Sequence, residues 1–342
     1  MSSPCFIVTG CAGFIGSHFC DHVLQAAGLN SRVVGVDKMG YAALAENMES
    51  AMSDRRFDFV QEDISDRDAM RELVRLLRPV AVFNFAAESH VDRSNQGGDE
   101  FVRSNVAGVH SLAEACKALK DSNRPVTFVQ IGTDEVYGSF EEGSATTTSG
   151  LDPSSLYSST KAAGDLIALS YFRTHGLDVR VTRCTNNYGP RQLPEKLIPV
   201  MIYKAMDDEA LPVYGDGRQV RDWIHVSDHC SGVWAAYQRG RAGRVYHFAG
   251  SNEIDNLTII GMILDALGKP PDLVAHVQDR LGHDRRYSLD ASGSRKELEW
   301  HPSVGFAKGL TDTVEWYRGS AAMRSVFRDV MSGEYAKRNY GG

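Results

Sequence analysis

The sequence predicts an α/β fold, in which a doubly wound parallel sheet carries a smaller C-terminal α/β lobe. Three observations support this prediction. Short β-branched segments alternate with helical patterns in the first half, a glycine-rich turn follows the first strand, and the alternation loosens after about residue 185. Strand–helix alternation is typical of parallel strands joined by right-handed crossovers. A chain of 342 residues is long enough for two such units.

The first half contains five apolar segments that we interpret as buried strands, over residues 5–9, 33–36, 57–61, 80–85 and 126–131. Helical spacing of apolar residues predicts helices over residues 14–27, 67–77, 99–119 and 157–174. The segment 80–85 is apolar except for Asn84, as expected for a central strand that helices cover on both faces. In this order, the elements predict the parallel sheet.

The second half has a less regular pattern, with prolines at 190, 194, 199 and 212 and a Gly-Asp-Gly turn at 215–217. We predict helices over residues 226–238 and 257–267 and a strand over 244–248. We therefore expect a division into residues 1–185 and residues 186–342. The second unit should lie over the carboxyl edge of the sheet and share elements with the first.

The composition excludes several classes of protein. The chain has 37 Lys and Arg against 44 Asp and Glu, a net charge of −7, which argues against nucleic-acid and anionic-membrane partners. It has no apolar run of the ~20 residues that a membrane span needs, and its N-terminus lacks a basic signal-peptide region. The six cysteines show no paired spacing. We expect a cytoplasmic protein with reduced thiols.

The turn after the first strand reads TGxxGxxG, from Thr9 to Gly16. Glycines there let the backbone approach a pyrophosphate, and the next helix offers free N–H groups to it. Asp37 follows about 20 residues later, where a carboxylate binds an adenosine ribose and repels a 2′-phosphate. The pattern predicts a Rossmann-type site for NAD, although Lys38 argues mildly for NADP. The alternative is that the glycines serve packing alone.

A second motif indicates catalysis. Tyr157 and Lys161 form Y-x-x-x-K, one helical turn apart and so on one face. A nearby ammonium and a cationic nicotinamide ring would both lower the pKa of the phenol toward neutrality. Asp134 and Glu135 follow Thr133 at the end of the fifth strand, the edge where such sheets bind ligands. Adjacent carboxylates can act as acid and base once their pKa values differ; the alternative is a capping Asp134 and a solvated Glu135.

Several segments resemble one family over almost the whole chain. They are TGCAGFIG, Val36-Asp37-Lys38, FAAESHVDRS, TDEVYG, YSSTK, NNYGPRQLPEKLIP, VYGDGRQVRDWIHVSDH and GHDRRYSLD. The chain resembles the extended short-chain dehydrogenase/reductases and, within them, the dTDP-glucose 4,6-dehydratases. TDEVYG discriminates best, because the related 4-epimerases lack the Asp-Glu pair and GDP-mannose dehydratases carry Ser in place of Asp134.

The resemblance implies a redox-neutral loss of water from a nucleotide sugar. Tyr157, with Lys161 and Thr133, would take the 4-OH proton while the C4 hydride passes to NAD⁺. Glu135 would remove the C5 proton and Asp134 would protonate the leaving 6-OH, after which the hydride returns to C6. This requires an ionised Glu135 and a protonated Asp134, so we expect burial and mutual repulsion to raise the pKa of Asp134.

The resemblance and the motifs together define three sets of site residues. The catalytic set is Thr133, Asp134, Glu135, Tyr157 and Lys161. The cofactor set is Gly10, Gly13, Phe14, Ile15, Gly16, Asp37, Lys38, Asp63, Ile64, Ala86, Ala87, Ser104, Tyr157, Lys161 and Asn187. The nucleotide-sugar set is Ser89, Thr133, Asn186, Lys196, Leu197, Val213, Tyr214, Arg221, Asn256, His283, Arg285 and Tyr287. Residues 1–185 would bind NAD and residues 186–342 the sugar nucleotide.

The sequence departs from the family pattern at Leu156, Gly40 and Arg191-Gln192, and the segment 139–155 is short. These departures leave the base of the nucleotide open. The alternatives are another nucleotide sugar such as UDP-glucose, a 5,6-dehydratase or 4-epimerase relative, and a non-catalytic dinucleotide sensor. His225 and His229 lack the further converging ligands of a zinc site, so we predict no metal. The resemblance also implies a homodimer, in which helices 100–120 and 157–174 of two chains form a four-helix bundle.

Overall fold

A seven-stranded parallel sheet forms the centre of the structure, a computed structural model that describes residues 3–90, 94, 97–279 and 284–333. The strands are β1 (Cys5–Thr9), β2 (Arg32–Asp37), β3 (Phe57–Gln61), β4 (Ala81–Asn84), β5 (Thr127–Thr133), β6 (Asp178–Cys184), β7 (Asn186–Tyr188), β8 (Leu211–Tyr214), β9 (Val220–His225), β10 (Val245–Phe248), β11 (Glu253–Asp255) and β12 (Val274–Val277). The order in the large sheet is β3-β2-β1-β4-β5-β6-β10. The predicted doubly wound sheet is therefore confirmed.

The helices are α1 (Phe14–Ala26), α2 (Glu49–Met52), α3 (Arg67–Leu77), α4 (Asp99–Val102), α5 (Val109–Asp121), α6 (Leu156–His175), α7 (Leu197–Met206), α8 (Val226–Arg239), α9 (Asn256–Leu267), α10 (Ser292–Leu298), α11 (Phe306–Gly319) and α12 (Ala321–Ser332). Three 3₁₀ turns add Ala45–Met48, Asp134–Tyr137 and Pro271–Leu273. Helices cover both faces of the sheet, with α1 and α8 packed together on one face and α3, α5 and α6 on the other.

The large sheet takes one strand from the second half of the chain. β10 pairs in parallel with β6, with Val245 opposite Val181 and Phe248 opposite Cys184. The remaining strands of that half form a three-stranded sheet, β11-β9-β7, and a two-stranded sheet, β12-β8. Their core is separate and contains the buried Tyr203. The division between residues 185 and 186 stays a prediction, and the chain crosses it to complete the large sheet.

The helix predicted over residues 99–119 is interrupted in the structure. A π-helical segment, Arg103–Gly108, separates α4 from α5. At this wider turn, the Oδ1 atom of the buried Asn105 accepts the backbone N–H of Glu88 at 2.9 Å. Its Nδ2 atom donates to the Glu88 carbonyl and to the Thr160 hydroxyl on α6, each at 3.0 Å. The π segment therefore ties the chain after β4 to α6, which carries the predicted Tyr157 and Lys161.

Candidate active site

The glycine turn after β1 opens into a cleft of about 590 Å³ at the carboxyl edge of the sheet. Nine predicted cofactor residues lie on its wall: Gly10, Gly13, Asp37, Lys38, Asp63, Ile64, Ala86, Ala87 and Ser104. The cleft lies beside the gap between β1 and β4, where the chain reverses its direction of winding and where ligands of such sheets bind. Phe14 and Ile15 instead pack against the core, and Gly16 lies beneath the turn.

Gly16 allows the close approach on which the turn depends. A Cβ atom at Gly16 would lie 2.0 Å from the carbonyl oxygen of Gly10, and Gly10 itself has a φ of +70°. We expect Gly16→Ala to lower the free energy of unfolding by about 2 to 4 kcal/mol, because backbone must move to admit the methyl group. The control is Gly261→Ala in α9, where an added Cβ has no atom within 4 Å. Calorimetry compares the melting temperatures of the two variants. Equal melting temperatures for the two would contradict the prediction.

Asp37 and Lys38 have different roles at the end of β2. The Asp37 carboxylate accepts the backbone N–H groups of Ala12 at 3.0 Å and Met39 at 2.9 Å, which fixes it toward the cleft with further acceptor capacity. Lys38 Nζ lies 2.9 Å from Glu88 and 3.2 Å from Glu100. Because two carboxylates neutralise this ammonium, it is a poor partner for a 2′-phosphate. The geometry fits a free ribose diol.

The catalytic pair follows β5 in a 3₁₀ turn that Thr133 caps. The Thr133 hydroxyl accepts the backbone N–H of Glu135 at 3.3 Å and donates to Asp134 Oδ1 at 3.2 Å. Asp134 is 4% exposed, and its Oδ2 has no hydrogen-bond partner among the described residues. Burial first, and then the charge of Glu135, raises the pKa of Asp134 to about 8. This confirms the predicted direction, so Asp134 is protonated at neutral pH.

Tyr157 and Lys161 lie on the first turns of α6, which Ser155 begins with a capping box. Tyr157 is hydrogen-bonded to Thr133, and Lys161 Nζ donates to the Ile131 carbonyl of β5 at 2.6 Å. The five predicted catalytic residues therefore meet at the end of β5. Burial, followed by the charge of Glu135, raises the pKa of Tyr157 well above its ordinary value. The protein's own groups thus shift this pKa opposite to the sequence prediction, because burial outweighs the lowering effect of the Thr133 hydrogen bond.

Among the predicted sugar-nucleotide residues, Thr133 caps the turn itself, and Arg221 and Tyr287 interact electrostatically with its two carboxyl groups. The Arg221 guanidinium lies 4.2 Å from the centre of the Tyr287 ring. Its positive charge acts to lower the pKa of Asp134, and the charge of Glu135 contributes to the raised pKa of Tyr287, so the four side chains share one electrostatic environment. Arg285 is half-exposed and paired with Asp216 at 2.9 Å.

The other predicted sugar-nucleotide residues are distributed over the second lobe and its borders. Lys196 Nζ donates to the Ser89 carbonyl at 3.1 Å. The neighbouring Asn187, which was predicted to bind the cofactor, has its Oδ1 2.9 Å from His229 Nδ1. The rest fall at element ends: Asn186 in β7, Leu197 in α7, Val213 and Tyr214 in β8, and Asn256 in α9. His283 lies outside the described residues. Residues 3–90, 94, 97–279 and 284–333 contain no group of three His, Cys, Asp or Glu arranged to hold a metal.

Contacts that no sequence motif predicts connect the cleft to the segment 189–196, called here the substrate loop. Tyr41, on the cleft wall, donates to Glu195 Oε2 at 2.5 Å. Arg191, which departs from the family pattern, pairs with Asp21 of α1 at 2.8 Å. The only sequence signal for the Tyr41–Glu195 contact is an aromatic residue four positions after Asp37. Its partner Glu195 lies 154 positions further along the chain.

Comparison with known proteins agrees with this geometry. A family model described as GDP-mannose 4,6 dehydratase matches residues 7–313. A dTDP-glucose 4,6-dehydratase from Actinoplanes is 46% identical over 92% of this chain and 98% of its own, and one from Xanthomonas campestris is 42% identical over 98% of each. The crystal structure of a dTDP-glucose 4,6-dehydratase from Streptomyces venezuelae with NAD bound has a TM-score of 0.88 and 45% identity, covering 92% of this chain and 97% of that one.

A UDP-glucose 4-epimerase from Thermotoga maritima shares the fold at 27% identity, with a TM-score of 0.83 over 92% of this chain and 98% of its own. The fold and the site thus define an extended short-chain dehydrogenase/reductase that acts on nucleotide sugars. Within that class, the chain belongs to the dTDP-glucose 4,6-dehydratase family.

Proposed function

We propose that the protein dehydrates dTDP-glucose to dTDP-4-keto-6-deoxyglucose, with NAD⁺ as a cofactor that each cycle regenerates. The observation that carries this proposal is the carboxyl pair after β5. Asp134 is buried and protonated beside the negative charge of Glu135, and both lie next to Tyr157. An elimination across two neighbouring carbons needs a base for one and an acid for the other. Relatives at 40–47% identity that carry this name support the choice of substrate.

Each catalytic residue then has one role. NAD⁺, held by the glycine turn and Asp37, would supply the hydride acceptor for C4 and the hydride donor for C6. Tyr157, hydrogen-bonded to Thr133, accepts the 4-OH proton as the phenolate, the form that the Lys161 ammonium and a bound cationic nicotinamide ring would favour against the effect of burial. Glu135 removes the proton at C5, which the 4-ketone acidifies, and later returns it. Asp134 donates its proton to the 6-OH, so that oxygen departs as water.

The residues that line the cleft suit NAD. The backbone approach at Gly10 and Gly16 makes room for a pyrophosphate, and the backbone-anchored Asp37 faces the ribose position. Lys38 is occupied by Glu88 and Glu100, which favours NAD over NADP. We propose that residues 1–185 bind NAD and that residues 186–342 bind the sugar nucleotide.

The experiment that tests this function uses the purified protein with no added cofactor. It receives dTDP-, UDP-, GDP- and CDP-glucose in turn, and mass spectrometry and NMR identify the products. Loss of one water with a new C6 methyl group, fastest for dTDP-glucose, is the expected result. Faster turnover of UDP-glucose would move the assignment to that substrate. Loss of water without a methyl group would indicate an alkene-forming dehydratase, and no product would contradict the proposal.

The Tyr41–Glu195 hydrogen bond is expected to retain the cofactor, because it joins the cleft wall to the substrate loop. We expect Tyr41→Phe to release NAD⁺ about tenfold faster, the effect of losing one hydrogen bond to a carboxylate. The measurement is the NAD⁺ remaining with the protein after timed gel filtration. Tyr171→Phe is the matched control, because Tyr171 also donates its hydroxyl to a glutamate, Glu114, at 2.6 Å, but does not line the cleft. Equal retention by the two variants would show that this link does not hold NAD⁺.

We also propose a cytoplasmic homodimer built on α4, α5 and α6. Val102, Leu156 and Leu166 on these helices are apolar residues with exposed fractions of 48%, 37% and 50%.

All six cysteines are unpaired and buried, which suits a reducing compartment. None of the helices in the described residues is long and apolar enough to cross a membrane. Light scattering should give twice the 37.6 kDa of one chain.

A further inference from the structure

A buried ion pair lies behind the catalytic residues, and the mechanism above does not use it. Asp165 on α6 is 0% exposed and Arg183 on β6 is 3% exposed. Arg183 Nε donates to Asp165 Oδ2 at 2.9 Å, while Asp165 Oδ1 has no hydrogen-bond partner among the described residues. A buried pair of this kind often adds little stability over apolar residues of the same size, because desolvation offsets the attraction. Its position therefore calls for another explanation.

One end of the pair faces Lys161. Asp165 is four residues further along α6, so both side chains lie on the same face. Burial lowers the pKa of Lys161, and the charge of Asp165, followed by Cys184 of β6, opposes that shift. Lys161 Nζ also donates to the Ile131 carbonyl of β5 at 2.6 Å. Asp165 is thus the strongest influence that keeps this buried lysine charged.

The other end of the pair holds the turn that carries the catalytic acids. Arg183 Nη1 donates to the Tyr137 hydroxyl at 2.5 Å, and Tyr137 is the last residue of the turn Asp134–Tyr137. The Tyr137 hydroxyl lies 2.7 Å from His247 Nε2, and His247 Nδ1 lies 3.0 Å from the Asp290 carbonyl. These two contacts together fit a neutral imidazole that donates from Nδ1 and accepts at Nε2.

We propose that Asp165 and Arg183 are positioning residues for the dehydration. Asp165 keeps Lys161 in its ammonium form on the helix face that also carries Tyr157. Arg183 fixes the Tyr137 end of the turn that contains Asp134 and Glu135. This inference rests on the proposed function for its catalytic consequence. The Asp165–Arg183 pair connects α6 to β6, and through Tyr137 it reaches the turn after β5. It therefore sets the distance between the phenol and the two carboxyl groups.

The groups that face this pair determine the sign of the pH effect. Lys161 faces Asp165 and Cys184, and Asp165 faces Arg183 and Lys161. Replacing Asp165 by Asn removes the main negative charge near Lys161, so the ammonium loses its proton at a lower pH than before. Loss of the positive charge on Lys161 makes the negatively charged phenolate of Tyr157 less stable. The activity of Asp165→Asn should therefore decline at a lower pH than that of the wild type.

The test compares Asp165→Asn with Asp178→Asn, which breaks the other Asp–Arg pair of β6, to Arg180 at 2.8 Å. We expect Asp165→Asn to lower kcat about tenfold at pH 8 with little change in KM. Its alkaline limb should begin about one pH unit below the limb that Asp134 sets in the wild type, because Lys161 then loses its proton before Asp134 does. Asp178→Asn should leave the limb in place. A folded Asp165→Asn variant with the wild-type limb would overturn the proposal, whatever its melting temperature.

Two further measurements keep the inference separate from the proposed function. Calorimetry from pH 7 to pH 10 follows Lys161 without any substrate. A lysine whose pKa is lowered by folding gains stability as pH rises toward its unfolded value, so this rise should begin at lower pH in Asp165→Asn. If the sugar panel gives no product, this result alone decides the role of Asp165. Tyr137→Phe, which removes the acceptor for Arg183 and the hydroxyl that contacts His247, should lower kcat several-fold with the limb unmoved, and an unchanged kcat would refute the role of Arg183.

Discussion

Replacing Tyr157 with phenylalanine is expected to lower kcat by about 10²- to 10⁴-fold while NAD⁺ stays bound. The substitution removes the hydroxyl that is hydrogen-bonded to Thr133 and that would accept the 4-OH proton. The ring remains in its buried position at the start of α6, so the loss falls on the chemical step. Turnover of dTDP-glucose and the NAD⁺ content of the purified variant are the two measurements.

Tyr203→Phe serves as the matched control for this experiment. Tyr203 is fully buried in α7, and its hydroxyl contacts only the Ser320 carbonyl, at 3.5 Å, among the hydrogen bonds seen in the described residues. Its loss should leave kcat within a factor of two of the wild-type value. A Tyr157→Phe variant that keeps more than a tenth of the activity would exclude Tyr157 as the base.

Replacing Asp134 with asparagine is expected to lower kcat by about 10²- to 10³-fold. The amide keeps the shape of the buried side chain but has no proton to give to the leaving 6-OH. The pKa of Asp134 is raised to about 8, so the wild-type carboxyl donates below that pH and is ionised above it. The wild-type kcat should therefore fall about tenfold for each pH unit above 8, and the variant should lose this dependence.

The same substitution should stabilise the fold at alkaline pH. A carboxyl whose pKa is raised by folding contributes stability below its unfolded value, near 3.8, and loses that contribution as pH rises toward 8. Asparagine carries no such dependence. We expect the free energy of unfolding of Asp134→Asn to exceed that of the wild type by about 1 to 3 kcal/mol at pH 8.

Asp228→Asn provides the control for both parts of this prediction. Asp228 is also a buried carboxyl, but it accepts hydrogen bonds from Ser303 and Val304, outside the catalytic turn. Its replacement should cost stability and leave the alkaline limb of kcat unchanged. Urea unfolding at pH 6 and pH 8 and a pH series of kcat distinguish the two variants. An alkaline limb that persists in Asp134→Asn would assign that limb to another group.

The sequence predicted those parts of the fold that local patterns determine. The strands predicted over residues 5–9 and 57–61 and the helix over 67–77 match the structure, and the others differ by a few residues at their ends. The interruption of the helix over 99–119 was not predicted, because a π segment adds a wider turn without changing the apolar composition. Its cause is the contact of Asn105 with Glu88 and Thr160, which is tertiary.

The candidate site divides in the same way. The glycine turn, Asp37, the pair after Thr133 and Tyr157 were predicted because each has a recognisable motif at a strand or helix end. Asp165 and Arg183 were missed because nothing in either local sequence announces a partner, and the two residues belong to different elements. The pKa of Tyr157 was misjudged for a related reason, since burial depends on packing that spacing does not reveal.

The position of β10 in the large sheet has a consequence for synthesis of the chain. Residues up to Cys184 can form six parallel strands, with β6 at one edge, but β10 follows about 60 residues later. At roughly 5 to 20 residues per second, the growing chain displays the unpaired edge of β6 for roughly 3 to 12 s. An open apolar edge is a template for a second chain. Crowded ribosomes on one message would therefore present this edge to one another, and fast translation between β6 and β10 protects the nascent enzyme from aggregation.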